Sequence, residues 1–399
     1  MSDHSHTFTP PSPERLTHDL DLVSKISLVV GVIALILSAV GGYCDRVQAL
    51  HSYLFAFLYF YTIMAGAFFW TILHHAVDAN WSVIVRRQFE NIANLMGVMA
   101  IGFIPLFIFR EDIWKWTQPS ELAHSVLLQE KHGYLNMPFF IVRLIFYFGF
   151  FTGAAYFYRK LSTAQDSDGS IVHSWRLRWW SPLSIIGFGL AITFSALDWL
   201  MALDYHWYST MWGVYIFAGS AQSSMATCIL IVFLLRKAGY LKPLSGEHAH
   251  IMGKLLFAFT VFWAYIAFSQ YMLIWYANIP EETVFFIKRN NGSWTYLSVF
   301  LVAGHFIFPF LYLLTQAVKK SWASLSVIAV WILFMHGVDH FWIIAPVVRP
   351  DGFSMRWTDF TSFIGLAGIL VYVFIRILGS AGLFPARDPR LNDCIKLTN

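Results

Sequence analysis

The stretch WASLSVIAVWILFMHGVDHFWIIA, residues 322–345, is long and apolar enough to cross a bilayer, yet it carries His336, Asp339 and His340. At 1.5 Å per residue its 24 positions make a helix of about 36 Å, more than a hydrocarbon core requires. A charged side chain at the centre of such a helix costs about 2.5–3.5 kcal/mol on insertion scales. Residues of this kind therefore turn toward protein or a water-filled path. His336 precedes Asp339 by three and His340 by four, spacings that place all three toward one bundle interior. Histidine exchanges protons near neutral pH, and a neighbouring carboxylate can hold the other end of a relay.

The same pattern extends through the chain. Of 399 residues, 57% are hydrophobic and 13% charged, and mean hydropathy is +0.57. Soluble domains carry about 25% charged residues, so composition alone gives an all-α integral membrane protein. Apolar runs predict about ten transmembrane helices, at 23–41, 52–75, 92–110, 136–158, 182–203, 209–235, 254–276, 294–317, 322–345 and 358–378. These runs are too long and too continuous for outer-membrane strands. Residues 1–22 read as a flexible cytoplasmic tail, 23–378 as the transmembrane domain, and 379–399 as a cytoplasmic C-terminal tail.

Lys and Arg set the expected orientation. Arg86, Arg87, Arg159, Lys160, Arg236, Lys237, Lys319 and Lys320 lie on the side of the termini, and the excess there is better than two to one. Both termini are therefore expected in the cytoplasm. Trp175, Trp179, Trp180, Trp294, Trp322 and Trp357 fall at expected interfaces. Loops at 110–135 and 277–293, with Trp114, Trp116, Glu281 and Glu282, form the expected docking surface for an extracytoplasmic partner; 159–181 reads as an inner loop. Cys44, Cys228 and Cys394 are far apart, with no C-x-x-C or C-x-x-C-H, so no cysteine-held zinc, iron–sulfur cluster or attached c-type haem is expected in this chain.

Directions and motifs suggest a four-helix repeat. The second and sixth helices each hold an aromatic stretch before Ala-Gly (Ala65-Gly66, Ala218-Gly219), and the fifth and ninth each hold an acid before tryptophan (Asp198-Trp199, Asp339 with Trp342). The expected fold is two four-helix bundles, helices 2–5 (about 52–203) and 6–9 (about 209–345), flanked by helices 1 and 10. Parallel repeats are one way to build membrane folds.

Depth along each helix locates the other polar groups. Asp198, Gln270, His336 and Asp339 fall in the outer third, and His305 is near the midplane. Gln222, Ser223, Ser224 and Thr227 occupy the inner half of the sixth helix. His74, His75 and Asp78 stand at the inner mouth of the second helix on one expected face. Plainer readings exist for most. Arg143 lies within reach of Asp198 for a structural ion pair. His305, close to Pro309, is placed to bond a freed carbonyl in a kinked helix. His74 and His75 suit an interface, and the Ser/Gln run suits helix packing. The ninth-helix cluster is the hardest to explain by structure alone.

LDWLMALDYHWYSTMWGVYIFAGS (197–220) and QYMLIWYANIPEET (270–283) resemble the F subunits of alternative complex III, a bacterial quinol:cytochrome c (electron carrier) oxidoreductase. More broadly the chain is similar to NrfD/PsrC-like membrane subunits, built of two four-helix bundles with peripheral helices. The resemblance implies a non-catalytic or coupling subunit in the bacterial inner membrane, with no cofactor of its own. It also implies a sister NrfD-like subunit holding the quinol (menaquinol or ubiquinol) site, with this chain a second candidate for quinone contact. An iron–sulfur protein and c-type cytochrome subunits would carry the clusters and haem c, and a terminal oxidase is a further candidate partner. Lipid, and no nucleic acid, is the expected surrounding. The implied contribution is proton translocation, through His74, His75, Asp78, Asp198, Gln270, His305, His336, Asp339 and His340. Two other classes remain open: a quinone-binding or b-haem-binding anchor subunit, with His305 pairing His336 or His340, and a stand-alone secondary transporter.

Overall fold

A computed structural model describes residues 13–397. Among these, 83% are helical, no strand occurs, and ten helices are long and apolar enough to cross a membrane. They are α1 (Asp21–Cys44), α2 (Arg46–Ala76), α3 (Asn80–Ile108), α4 (Met137–Asp168), α5 (Ile171–Leu203), α6 (Trp212–Lys237), α7 (Gly246–Ala277), α8 (Trp294–Leu313), α9 (Trp322–Val348) and α10 (Trp357–Leu378). Each overlaps one expected apolar run. Thr17, before α1, lies beside Gly379, after α10, at one end of the assembly, the terminal end; the opposite end is distal.

α2 is the most deeply buried helix and α1 the least. α2 packs on α3, α5, α6, α9 and α10, while α6 packs on α2, α5, α7 and α9. α3 and α4, α4 and α5, α7 and α8, and α8 and α9 are further neighbours, and α1 lies against α10. The α2–α6 seam is unusually close. A Cβ added to Gly66 would sit 1.9 Å from the Ser220 carbonyl oxygen, so only glycine fits there. Across the same seam Trp70 Nε1 donates to the Ala221 carbonyl at 2.9 Å. α1 and α10 share a buried hydroxyl pair, Ser38 with Ser362 at 2.6 Å.

Several connections differ from the expected loops. α4 and α5 run on through 159–181 and meet in a tight turn at Gly169, whose φ of 67° lies in the left-handed region that glycine adopts freely. The expected flexible tail is helical over Pro13–Asp19, with Leu16 buried; residues 1–12 lie outside those described. The C-terminal segment folds back onto the terminal end of α3 and buries Leu383, Phe384 and Cys394. Trp114 and Trp116 are buried, Trp114 donating to the Trp199 carbonyl, so they cap the α3–α5 end and offer a partner nothing. Trp294 and Trp322 are buried too, bonding the Arg349 and Ser245 carbonyls, whereas Trp175, Trp179, Trp180 and Trp357 are exposed as belt residues should be.

Candidate functional site: two buried acids with different partners

Asp198 and Asp339 both stand toward the distal ends of their helices, and both are buried. Their surroundings differ in kind. Arg143 from α4 grips Asp198 with two parallel bonds, Nε–Oδ2 at 2.7 Å and Nη2–Oδ1 at 3.0 Å. Tyr147, one helical turn on, adds its hydroxyl to Oδ2 at 2.7 Å. The third guanidinium nitrogen, Nη1, donates to the Tyr134 carbonyl at 2.9 Å, and the guanidinium carbon lies 3.9 Å from the Tyr134 ring centre. A bidentate, fully bonded ion pair of this sort is a fixed strut, because each partner neutralises the other and no polar atom is left over. The geometry gives Asp198 the ion-pair role.

Asp339 pairs with no cation among the described residues. Its carboxylate accepts from the Tyr215 hydroxyl of α6 at Oδ1 and from Trp263 Nε1 of α7 at Oδ2, 3.2 Å away. Both donors are neutral. The indole of Trp263 then lies against His305 of α8, ring centres 4.0 Å apart and planes tilted by 34°. His305 Nε2 meets Gln222 Oε1 at 2.9 Å, and Gln222 Nε2 donates to Thr260 at 3.0 Å. This polar chain threads four helices, α9, α7, α8 and α6, inside an apolar core. At His305 the backbone of α8 opens into a π turn over Val302–Ile307. Such turns are frequent at functional sites, since the extra residue re-aims side chains. His305 thus reaches a side chain of α6, and the expected bond to a carbonyl freed by Pro309 does not form.

His336 and His340 turn another way. His336 Nε2 meets the Thr62 hydroxyl of α2 at 2.9 Å, and its ring lies 5.3 Å from that of Tyr59. His340 Nδ1 bonds the His336 carbonyl at 3.0 Å, and the two imidazoles are 4.3 Å apart, edge to face. The ninth-helix triad therefore does not share one bundle interior. Asp339 points to α6 and α7, His336 to α2, and the cluster straddles the junction between them. Three imidazole nitrogens there, His336 Nδ1, His340 Nε2 and His305 Nδ1, have no hydrogen-bond partner although fully buried. A buried polar atom left unpaired costs about 1–3 kcal/mol, a cost borne as well by Nδ1 and Nε2 of His74 and Nε2 of His75.

The other expected residues are not joined to this chain. Gln270 lies beyond Trp263 on α7 and lines a cavity between α7 and α8. His74 and His75 are buried at the terminal end of α2, where His74 is enclosed by Trp70, Trp81 and Phe89, and His75 faces Tyr158 of α4. Asp78 does not share their face. The helix ends at Ala76, and Asp78 takes a left-handed φ of 49° that turns it toward Arg178 and Arg390. Above them the C-terminal segment is latched by Asp388, which bonds Arg86 at 2.7 Å and Arg390 at 2.9 Å. The expected inner mouth is thus covered.

Sequence reading missed Tyr215, Trp263, Thr62 and Tyr147. Each is a common residue of an aromatic-rich apolar helix, and spacing within one helix carries no sign of a partner on another. No protein-family model matches the chain, and no curated protein matches it.

Proposed function

We propose that this chain is an integral membrane subunit of a quinol-oxidising respiratory complex of the alternative complex III type, and that Asp339 carries protons in it. The reading rests on the sequence resemblance for the complex and on one observation for the residue: an acid buried inside the assembly, held by two neutral donors, beside three histidines with unpaired ring nitrogens. A purely structural carboxylate at this depth would be matched by a cation, as Asp198 is. Helix packing favours two four-helix groups, α2–α5 and α6–α9, with α1 and α10 outside. The excess of Lys and Arg favours cytoplasmic termini in a bacterial inner membrane.

In this scheme Asp339 takes up a proton as the Tyr215 hydroxyl rotates, and the imidazoles of His336, His340 and His305 offer the neighbouring acceptor sites. Moving one charge across 100 mV involves about 2.3 kcal/mol, which electron transfer in the complex would supply. The quinol site and the redox centres are assigned to partner subunits. A b-type haem fits this chain less well, because Nε2 of His305 and Nε2 of His336, ring nitrogens that would bind the iron, are each hydrogen-bonded to another side chain.

Affinity purification of the tagged chain from its native membranes tests the assignment. It is expected to bring down iron–sulfur and c-haem subunits, with the haem absorption following the tag. Recovery of the chain alone, without redox-active companions, would refute the complex.

A further inference from the structure

A cavity of about 780 Å³ lies between α7 and α8, closed on its inner side by Trp212, Tyr215, Trp263 and Trp342. That volume is ample for a small organic molecule. No lining side chain is charged. The π turn of α8 forms one wall through Val302, Ala303, Phe306 and Ile307, so the widened backbone that aims His305 inward also shapes this space. Tyr265 and Phe268 on α7, with Val299 and Val302 on α8, line the cavity and are more than half exposed on the assembly's apolar outer surface, so entry is from the bilayer side.

Two buried side chains lining the cavity keep a polar atom without a hydrogen-bond partner, the donor Nε1 of Trp212 and the amide oxygen of Gln270, which is 4% exposed. Ser298, also on the wall, is already committed, donating to the Arg289 carbonyl at 2.8 Å and accepting from Trp342 Nε1 at 2.8 Å. An unpaired acceptor in an uncharged, aromatic chamber selects for a donor that arrives without charge. We propose that the α7–α8 cavity is a binding site for a neutral, bilayer-soluble molecule whose hydroxyl donates to Gln270 Oε1 and whose hydrocarbon body lies along the α8 wall. The shared chemistry covers a hydroxyl-headed lipid and a ring alcohol. The site stands on this geometry alone and does not depend on proton transfer at Asp339.

Photolabelling of the full chain in its native membranes tests the site. The probe is a monoacylglycerol with a diazirine in its acyl chain, and the labelled peptides are mapped by mass spectrometry. Labelling is expected to concentrate on 261–271 and 299–307. Monoolein or 4-nonylphenol should compete it away, the stronger competitor naming the source, while 4-nonylanisole, which has no donor, competes about three- to tenfold less well than the phenol. Gln270→Leu should erase that difference between phenol and ether, and Ala303→Phe, which narrows the chamber, should abolish the labelling. Label spread evenly over the lipid-facing helices would overturn the proposal. So would a phenol and ether of equal potency on the unmodified chain, or a preference for the phenol that survives Gln270→Leu.

Discussion

Removing Arg143 should destabilise this protein strongly, and the reason lies in what it leaves behind. Arg143→Met keeps the length and apolar bulk of the side chain but withdraws the cation from Asp198, which is 0% exposed. Two of the three bonds to the carboxylate disappear, and only the Tyr147 hydroxyl remains. Breaking one side of a buried pair typically costs about 3–5 kcal/mol, mostly from the uncompensated charge. Tyr147→Phe takes away a single bond to a charged acceptor and should cost about 1.5–3 kcal/mol. Replacing both ion-pair partners, Arg143→Met with Asp198→Leu, removes the charge altogether and leaves only the buried Tyr147 hydroxyl without its acceptor, so it should recover part of the loss and end about 1–3 kcal/mol below the parent. Reversible unfolding by denaturing detergent in mixed micelles, followed by tryptophan fluorescence, measures all three. An Arg143→Met variant that loses under about 1 kcal/mol, or a double variant as unstable as the single one, would show that Asp198 is not the fixed strut described above.

Three further outcomes follow from particular contacts. Gly66→Ala drives a methyl group into the Ser220 carbonyl 1.9 Å away and should cost about 1–3 kcal/mol or more in the same assay, whereas Gly219→Ala, whose new atom would approach His336 no closer than 3.6 Å, should be tolerated. Tyr215→Phe strips Asp339 of a hydroxyl donor that stabilises its ionised form, so proton release by the proposed complex should slow while electron transfer is retained, measured by a pH-indicating dye during single turnovers. Burial alone would raise Asp388, but the Arg390 and Arg86 guanidinium groups outweigh it and hold the carboxyl well below the usual carboxylate range. Because its folded value lies below the unfolded one of about 3.9, the latch is at full strength above about pH 4 and weakens as pH falls through the folded value. Hydrogen-exchange protection over 383–395, taken relative to the intrinsic rate at each pH, should therefore be flat from neutral pH down to about pH 5, and Asp388→Asn should lower that protection even at neutral pH.

Helix existence was legible because twenty apolar residues in a row admit few other structures, and the ten runs needed no knowledge of partners. What lay between helices was not. The 159–181 segment carries polar and charged residues and reads as a loop, yet α4 and α5 continue beyond the hydrocarbon thickness before Gly169 turns the chain. Trp114 and Trp116 read as part of a docking surface because tryptophan is enriched where proteins meet as well as in cores. The acids on α5 and α9 look alike in sequence, each followed by an aromatic residue. Only the neighbouring helices separate them, Arg143 supplying a cation to one and Tyr215 and Trp263 supplying neutral donors to the other. Helical spacing correctly made His336, Asp339 and His340 neighbours. It could not reveal that the roughly 60° between His336 and Asp339 suffices, where α2, α6 and α7 converge on α9, to send them to different partners.

The claim that Asp339 carries protons is tested most directly by the proton-to-electron ratio of the intact complex in sealed vesicles, compared between the parent, Asp339→Asn and Asp198→Asn. The ratio should fall in Asp339→Asn with quinol oxidation largely preserved, and it should be unaltered in whatever Asp198→Asn complex assembles. An Asp339→Asn complex that moves as many protons per electron as the parent would contradict the assignment and leave this acid as one more packing element of the membrane domain.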